Sequence, residues 1–132
     1  MTTASCLCGA IRMRIDGTLA PIQICHCRSC QKAQGGAFAA ITPVDAARVT
    51  VELGEEDLVR WASSPGKIRA FCRNCGSPMF SRREGQSELR FRVGVLDLPV
   101  DLPVASHAWC EEAAPWSMQE DHAPRYSGPR PA

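Results

Sequence analysis

The sequence predicts a mainly β fold, an all-β sheet assembly with tight turns and little helix. Three observations carry that expectation. Short segments that alternate with period two recur about every ten residues. Ten glycines and ten prolines punctuate the chain and leave no room for long helices. Seven of the eight cysteines fall into three tight groups, each at a place where the chain must turn.

The alternating segments can be followed in order. In Ala10–Ile15, Ile11, Met13 and Ile15 point one way while Arg12 and Arg14 point the other. Pro21–Cys25 is a short strand leading into the second cysteine group. Phe38–Val44 is apolar and ends at a proline-containing turn. Val49, Val51 and Leu53 alternate with Thr50 and Glu52. Leu58–Ala62 and Ile68–Cys72 flank the turn Ser63-Ser64-Pro65-Gly66, and Met79–Arg83 follows the third cysteine group. Leu89, Phe91, Val93 and Val95 alternate with Arg90, Arg92 and Gly94. One short helix is expected near Cys30–Gln34. Gly35-Gly36 would end it, or would let a substrate approach the backbone. One domain is expected over residues 1–120, with a proline-rich, irregular tail at 121–132.

Composition bounds the function. The chain has 132 residues, 45% hydrophobic and 22% charged, enough to bury a core of its own. A formal net charge of +1 is too small to draw nucleic acid or an anionic membrane by the overall field. Several arginines cluster between Arg69 and Arg92, and a solvated strand face is the expected reading. The first residues carry no secretory pattern, and no apolar run approaches the ~18 residues of a membrane helix. A cytoplasmic location is expected, where thiols stay reduced and clustered cysteines serve as metal ligands.

The groups are Cys6-Leu7-Cys8-Gly9, Cys25-His26-Cys27-Arg28-Ser29-Cys30 and Cys72-Arg73-Asn74-Cys75-Gly76. In a C-x-x-C pair the chain turns so that two sulfurs meet one metal about 2.3 Å away. Turn N–H groups can donate to the thiolates, and the following glycine admits the positive φ that closes the turn. Seven ligands do not divide into two closed sites. A structural zinc takes four, and the remaining three leave a position for water or substrate. Spacing does not say which cysteines share an ion. Cys27 and Cys30 could join Cys72 and Cys75, although the intervening loop far exceeds the ~15–20 residues usual for a ribbon. Cys6 and Cys8 could join them instead, leaving Cys25, Cys27 and Cys30 together.

With these motifs the chain resembles the glutathione-dependent formaldehyde-activating enzyme family, whose domain is shared with centromere protein V. C-x-C-G at Cys6–Gly9, C-H-C-x-x-C at Cys25–Cys30 and F-C-x-x-C-G at Phe71–Gly76 appear in order. His107-Ala108-Trp109 and Ala114-Pro115-Trp116 resemble its later signature. The resemblance implies a β-tent of stacked antiparallel sheets. It implies Cys6, Cys8, Cys72 and Cys75 as structural zinc ligands, and Cys25, Cys27 and Cys30 as catalytic zinc ligands, two Zn²⁺ per chain. It also implies formation of S-hydroxymethylglutathione from glutathione and formaldehyde, a carbon–sulfur lyase reaction in reverse. A Cys₃ site suits that chemistry. Zinc stabilises a bound thiol as its thiolate, whereas three thiolates weaken it as a Lewis acid toward a carbonyl.

The remaining residues are open at this level. His26 could bond a thiolate or face solvent. His107 could be a packed strand histidine or a proton relay at the open site. Trp109 and Trp116 are expected in the core or a pocket wall. Cys110 is expected to be a free cysteine, with a fourth ligand as the alternative. Arg28 and Lys32 could attract an anionic substrate or simply be solvated. The function expected is a zinc-dependent carbon–sulfur lyase, or its reverse, on a small thiol adduct, without nucleic-acid or membrane partners. The alternative is a non-enzymatic, zinc-stabilised protein-binding module, which needs only the four-cysteine site.

Overall fold

The computed structural model describes residues 1–97, 100–117, 123, 124, 126, 127, 129 and 131. Ten strands run in chain order: β1 Thr2–Ser5, β2 Arg12–Ile15, β3 Ile22–Cys25, β4 Ala39–Asp45, β5 Val49–Leu53, β6 Leu58–Ser64, β7 Lys67–Cys72, β8 Pro78–Arg83, β9 Glu88–Arg92 and β10 Val104–Ala108. One α-helix, α1, spans Arg28–Gln34. The fold is mainly β, as the alternation and the turn residues predict. Half of the tail at 121–132, six of its twelve residues, lies outside the described residues.

Three strands form a small sheet in the order β1-β2-β5. Seven form a larger one in the order β10-β3-β4-β9-β8-β7-β6. Every pairing is antiparallel except β10 on β3, which is parallel. The alternation does not single out β1 and β10. Thr2–Ser5 is short and polar, and all five residues of β10 are exposed, so neither carries the half-buried pattern that marks a strand. The Ser63–Gly66 turn forms where expected: Ser64 pairs with Lys67, and Gly66 takes φ 74° after Pro65.

The large sheet has two unlike faces because successive side chains alternate. Ala70 of β7, Phe80 of β8, Leu89 and Phe91 of β9 and Val44 of β4 lie in the main core with Ala4, Ile11, Met13 and Ile15 from the β1–β2 region. Lys67, Arg69, Ser81, Arg83, Arg90, Arg92, Ala39 and Ile41 line a cavity instead. Phe91, Ile11, Met13 and Ile15 are fully buried, so the alternation in Ala10–Ile15 reads the inner face correctly.

One glycine ties the two ends of this arrangement. Gly54 has φ 83°, and a Cβ built there would sit 2.1 Å from the Ala10 carbonyl oxygen. Gly54→Ala is therefore expected to destabilise the domain by more than about 2 kcal/mol, combining left-handed strain with a backbone clash. A urea titration checks this; a midpoint equal to that of the parent chain would refute it.

Candidate metal centre

The first sulfur group is assembled from both ends of the β region. Cys6 and Cys8 lie on the β1–β2 connection, Cys72 ends β7, and Cys75 lies in the β7–β8 turn. Their four Sγ atoms all lie within 4.8 Å of one another. Cys6 and Cys8 Sγ are 3.6 Å apart, and Cys8 and Cys72 Sγ are 3.8 Å apart. Sulfurs at the corners of a tetrahedron with zinc–sulfur bonds of about 2.3 Å stand about 3.8 Å apart, so the donor set fits such an ion. Each turn closes as its glycine predicts. Gly9 has φ 80° and donates to Cys6 O, and Gly76 has φ 78° and donates to Cys72 O. Ile11 N–H donates to Cys6 Sγ and Asn74 N–H to Cys72 Sγ. Ser77 links the halves: its hydroxyl accepts from Leu7 N–H at 2.9 Å and meets Cys75 Sγ at 3.2 Å. That hydroxyl, helped by the Ser77 N–H, draws the Cys75 thiol down to about 5.

Cys25, Cys27 and Cys30 form the second group, their Sγ atoms also within 4.8 Å of one another. Cys25 ends β3, between Ala39 of β4 and Ala108 of β10. Cys27 is the N-cap of α1, and its Sγ accepts from Cys30 N–H at 3.3 Å. The helix stops at Gly35, φ 64°, whose N–H bonds Gln31 O, so the glycine pair serves as the helix end. Burial, then the neighbouring Cys30 and Cys27 sulfurs, push the Cys25 thiol up to about 12, although the Cys27 N–H works against them. Burial also opposes ionisation of Cys30, but the Cys27 and Cys25 thiols and the Arg69 guanidinium outweigh it and hold Cys30 below its usual range. Left to themselves these thiols do not all ionise together. Metal ligation requires that they do, and a cation supplies the compensation.

Cys110 belongs to neither group. It is exposed, and its Sγ donates to His107 O at 3.7 Å, so the second group keeps three sulfurs among the described residues. His26 is only 2% exposed and does not face solvent. Its Nε2 meets His107 Nδ1 at 2.9 Å, the two rings stack, and Phe38 stands edge-on to it. His107 thus contacts the Cys25–Cys30 loop through His26, and it is not among the residues that line the cavity. Trp109 forms part of the cavity wall, with 57% exposure and φ 58°. Trp116 is 65% exposed, which corrects the expectation of a core or wall position.

The cavity beside Cys25, Cys27 and Cys30 has a volume of ≈ 540 Å³. Its floor is basic. Lys67 and Arg69 come from β7, Arg83 from β8, and Arg90 and Arg92 from β9. Arg83 is exposed, as a solvated strand face would have it, whereas Lys67, Arg69 and Arg90 are half-buried and Arg92 is buried. Arg69 opposes Ser81, which opposes Arg90, so register gathers the charges into one patch. Arg92 is 4% exposed and bonds Gln34 Oε1, Ser81 Oγ and Arg90 O. Burial first, and then the Arg69 and Arg90 charges, bring it down to about 10, still a cation at neutral pH. Arg69 Nη1 is buried without a hydrogen-bond partner. Arg28 and Lys32 are exposed and do not line the cavity.

Sequence reasoning missed Gln31 as well. It is 5% exposed, and its Nε2 donates to His26 O at 2.8 Å and Glu112 O at 2.9 Å, fastening the Cys25–Cys30 loop to the segment after β10. Gln31→Ala strands two carbonyls and is expected to cost about 1–3 kcal/mol. Thermal unfolding of the loaded protein checks it, and an unchanged melting temperature would refute the tie. No pattern in the sequence marks this residue. The basic floor did leave a trace, the alternation of Lys67 with Arg69 and of Arg90 with Arg92.

A mainly β domain with one converging group of four sulfurs, and one of three beside a basic cavity, defines a protein able to hold metal ions through thiolates. The chain belongs to the glutathione-dependent formaldehyde-activating enzyme family, whose model matches residues 1–112. A solved crystal structure of a Rhodobacter sphaeroides protein shares the fold, with a TM-score of 0.64 at 21% identity, covering 78% of this chain and 99% of that one. Among the described residues no helix is long and apolar enough to cross a membrane.

Proposed function

We propose that this protein is a zinc-dependent carbon–sulfur lyase, or the reverse condensing enzyme, acting on a small thiol adduct of the S-hydroxymethylglutathione type. The observation that carries the reading is the three-sulfur group opening onto a basic cavity. A closed structural site would need a fourth protein ligand and no cavity, and a binding module needs only the four-cysteine group.

Cys6, Cys8, Cys72 and Cys75 would hold one zinc as a folding cross-link. Cys25, Cys27 and Cys30 would hold the second. Bound there, zinc keeps a substrate thiol in its thiolate form at neutral pH. In the condensing direction, the sulfur bonds to the aldehyde carbon, and the C=O π pair moves to oxygen, which takes a proton. In the lyase direction, the hydroxyl loses its proton, the carbon–sulfur bond breaks, and its electron pair stays on sulfur. The cations of β7, β8 and β9 hold acidic groups of the substrate, and Trp109 shields one side from water. His26, held by His107, orients the loop between Cys25 and Cys27, a positioning role in place of a relay in the cavity.

Two measurements test the reading. Cobalt(II)-substituted protein is expected to change its visible spectrum when a thiol is added, as sulfur enters the coordination sphere. Zinc-loaded protein is expected to release formaldehyde from hydroxymethyl thiol adducts. A cobalt spectrum indifferent to every thiol, with no formaldehyde released, would refute it.

A further inference from the structure

The charges around the cavity define more than affinity for an anion. Lys67, Arg69, Arg83, Arg90 and Arg92 line it, and none of them is in an ion pair among the described residues. Among the described residues the one carboxylate lining the cavity is that of Glu112. Its Oε1 accepts from Arg28 N–H at 3.2 Å. Five cations thus face one carboxylate. A zinc with three cysteine thiolates and a substrate thiolate would carry two negative charges. Together with Glu112 this still leaves the cavity positive by about two charges. Arg69 acts on the Cys30 sulfur through one part of its guanidinium, and its Nη1 is buried without a hydrogen-bond partner, a cost that an acidic oxygen would recover.

Resting on the lyase reading above, we infer that the body of the substrate carries two negative charges and no ammonium group. One phosphate or two carboxylates meet that description. Glutathione does not, because its body pairs two carboxylates with an ammonium and so returns only one net negative charge to a cavity left positive by about two. Arg69 and Arg90, one on each side of Ser81, are the groups placed to clamp the acid, with Arg83 and Lys67 toward the β6–β7 and β8–β9 ends. A volume of ≈ 540 Å³ lies within the range of pockets that enclose a small organic molecule.

Calorimetry on the zinc-loaded full chain tests this with four thiols: mercaptosuccinate (two carboxylates), 4′-phosphopantetheine (one phosphate), glutathione and 2-mercaptoethanol. One or both of the ammonium-free dianions are expected to bind at least about tenfold more tightly than glutathione and 2-mercaptoethanol, with a steep salt dependence. Which dianion leads distinguishes phosphate from dicarboxylate. Arg69→Gln is expected to lower the affinity of the favoured dianion about tenfold, and by clearly more than it lowers that of 2-mercaptoethanol. Arg90→Gln provides the same readout should the first variant fold poorly. Glutathione binding as tightly as both dianions, or dianions binding no better than 2-mercaptoethanol, would overturn the inference. The cobalt spectrum separates this result from the parent reading. Dianions that bind without perturbing cobalt uphold the acid receptor and overturn sulfur ligation. Thiols that all perturb cobalt with equal affinity do the reverse.

Discussion

Replacing Cys72 with serine is expected to unfold the domain. Cys72 is fully buried at the end of β7, and its Sγ lies 3.8 Å from that of Cys8, 64 residues earlier in the chain. An ion held there joins the β1–β2 connection to the β7–β8 turn, closing a long loop and binding only the folded arrangement. Structural zinc sites of this chemistry contribute about 10–16 kcal/mol of apparent binding free energy at neutral pH. Whole domains are stable by only about 5–15 kcal/mol. Removing one ligand also leaves three converging thiols without the cation that lets them ionise together. Far-UV circular dichroism and a thermal melt would show loss of the cooperative transition. Cys75→Ser separates metal from packing, since Cys75 is only half-buried, and it should behave the same way. Strong chelation of the parent chain should reproduce both. Cooperative melting of either variant near the parent temperature, with the ion retained, would show that this group does not support the fold.

Cys27→Ser is expected to do the opposite: the domain folds and the chemistry is lost. Cys27 is partly exposed at the N-cap of α1, and serine is itself a good N-cap, so the helix start survives. The main core is built from β1, β2, β4, β6, β7, β8 and β9 and does not include this residue. Two sulfurs then remain where three converged. Zinc content should fall from about two ions per chain to about one. Formaldehyde release should drop by at least about a hundredfold, the scale on which a lost catalytic metal interaction is felt. Metal analysis and the melt are read together with activity. A variant that loses both ions, or one that unfolds like Cys72→Ser, would show that the two groups do not divide the work between folding and chemistry.

The contrast between these variants shows how legible the site was. Local chemistry was written into the chain. Cys72-x-x-Cys75-Gly76 closes its turn with Gly76 at φ 78°, and Gly35 ends the helix at φ 64°, because only a residue without a Cβ takes such angles freely. Period-two alternation found eight of the ten strands, since a strand with one buried face must repeat every second residue. It passed over β1 and β10. A short polar edge and a fully exposed strand bury too little to leave a pattern.

The site's wider surroundings were not legible. His26 could face a thiolate or water on sequence alone; β10 lies beside β3, and that pairing sets His107 against it. Cys110 could have completed the second group, and its place after β10 keeps it away. The arginines of β7–β9 read as ordinary strand charges because a sequence records alternation without recording what each face meets.

The sequence by itself determined the elements, the turn chemistry and the surplus of three sulfurs over a closed tetrahedron. Those properties depend on residues within a few positions of one another. Spacing left open which sulfurs converge, the family resemblance implied the grouping, and the tertiary structure brought those sulfurs together and decided which strand face becomes core. It also decided that five cations surround the open group. Strand order and register bring together residues dozens of positions apart, and that juxtaposition, not any local propensity, sets the charge a substrate must carry.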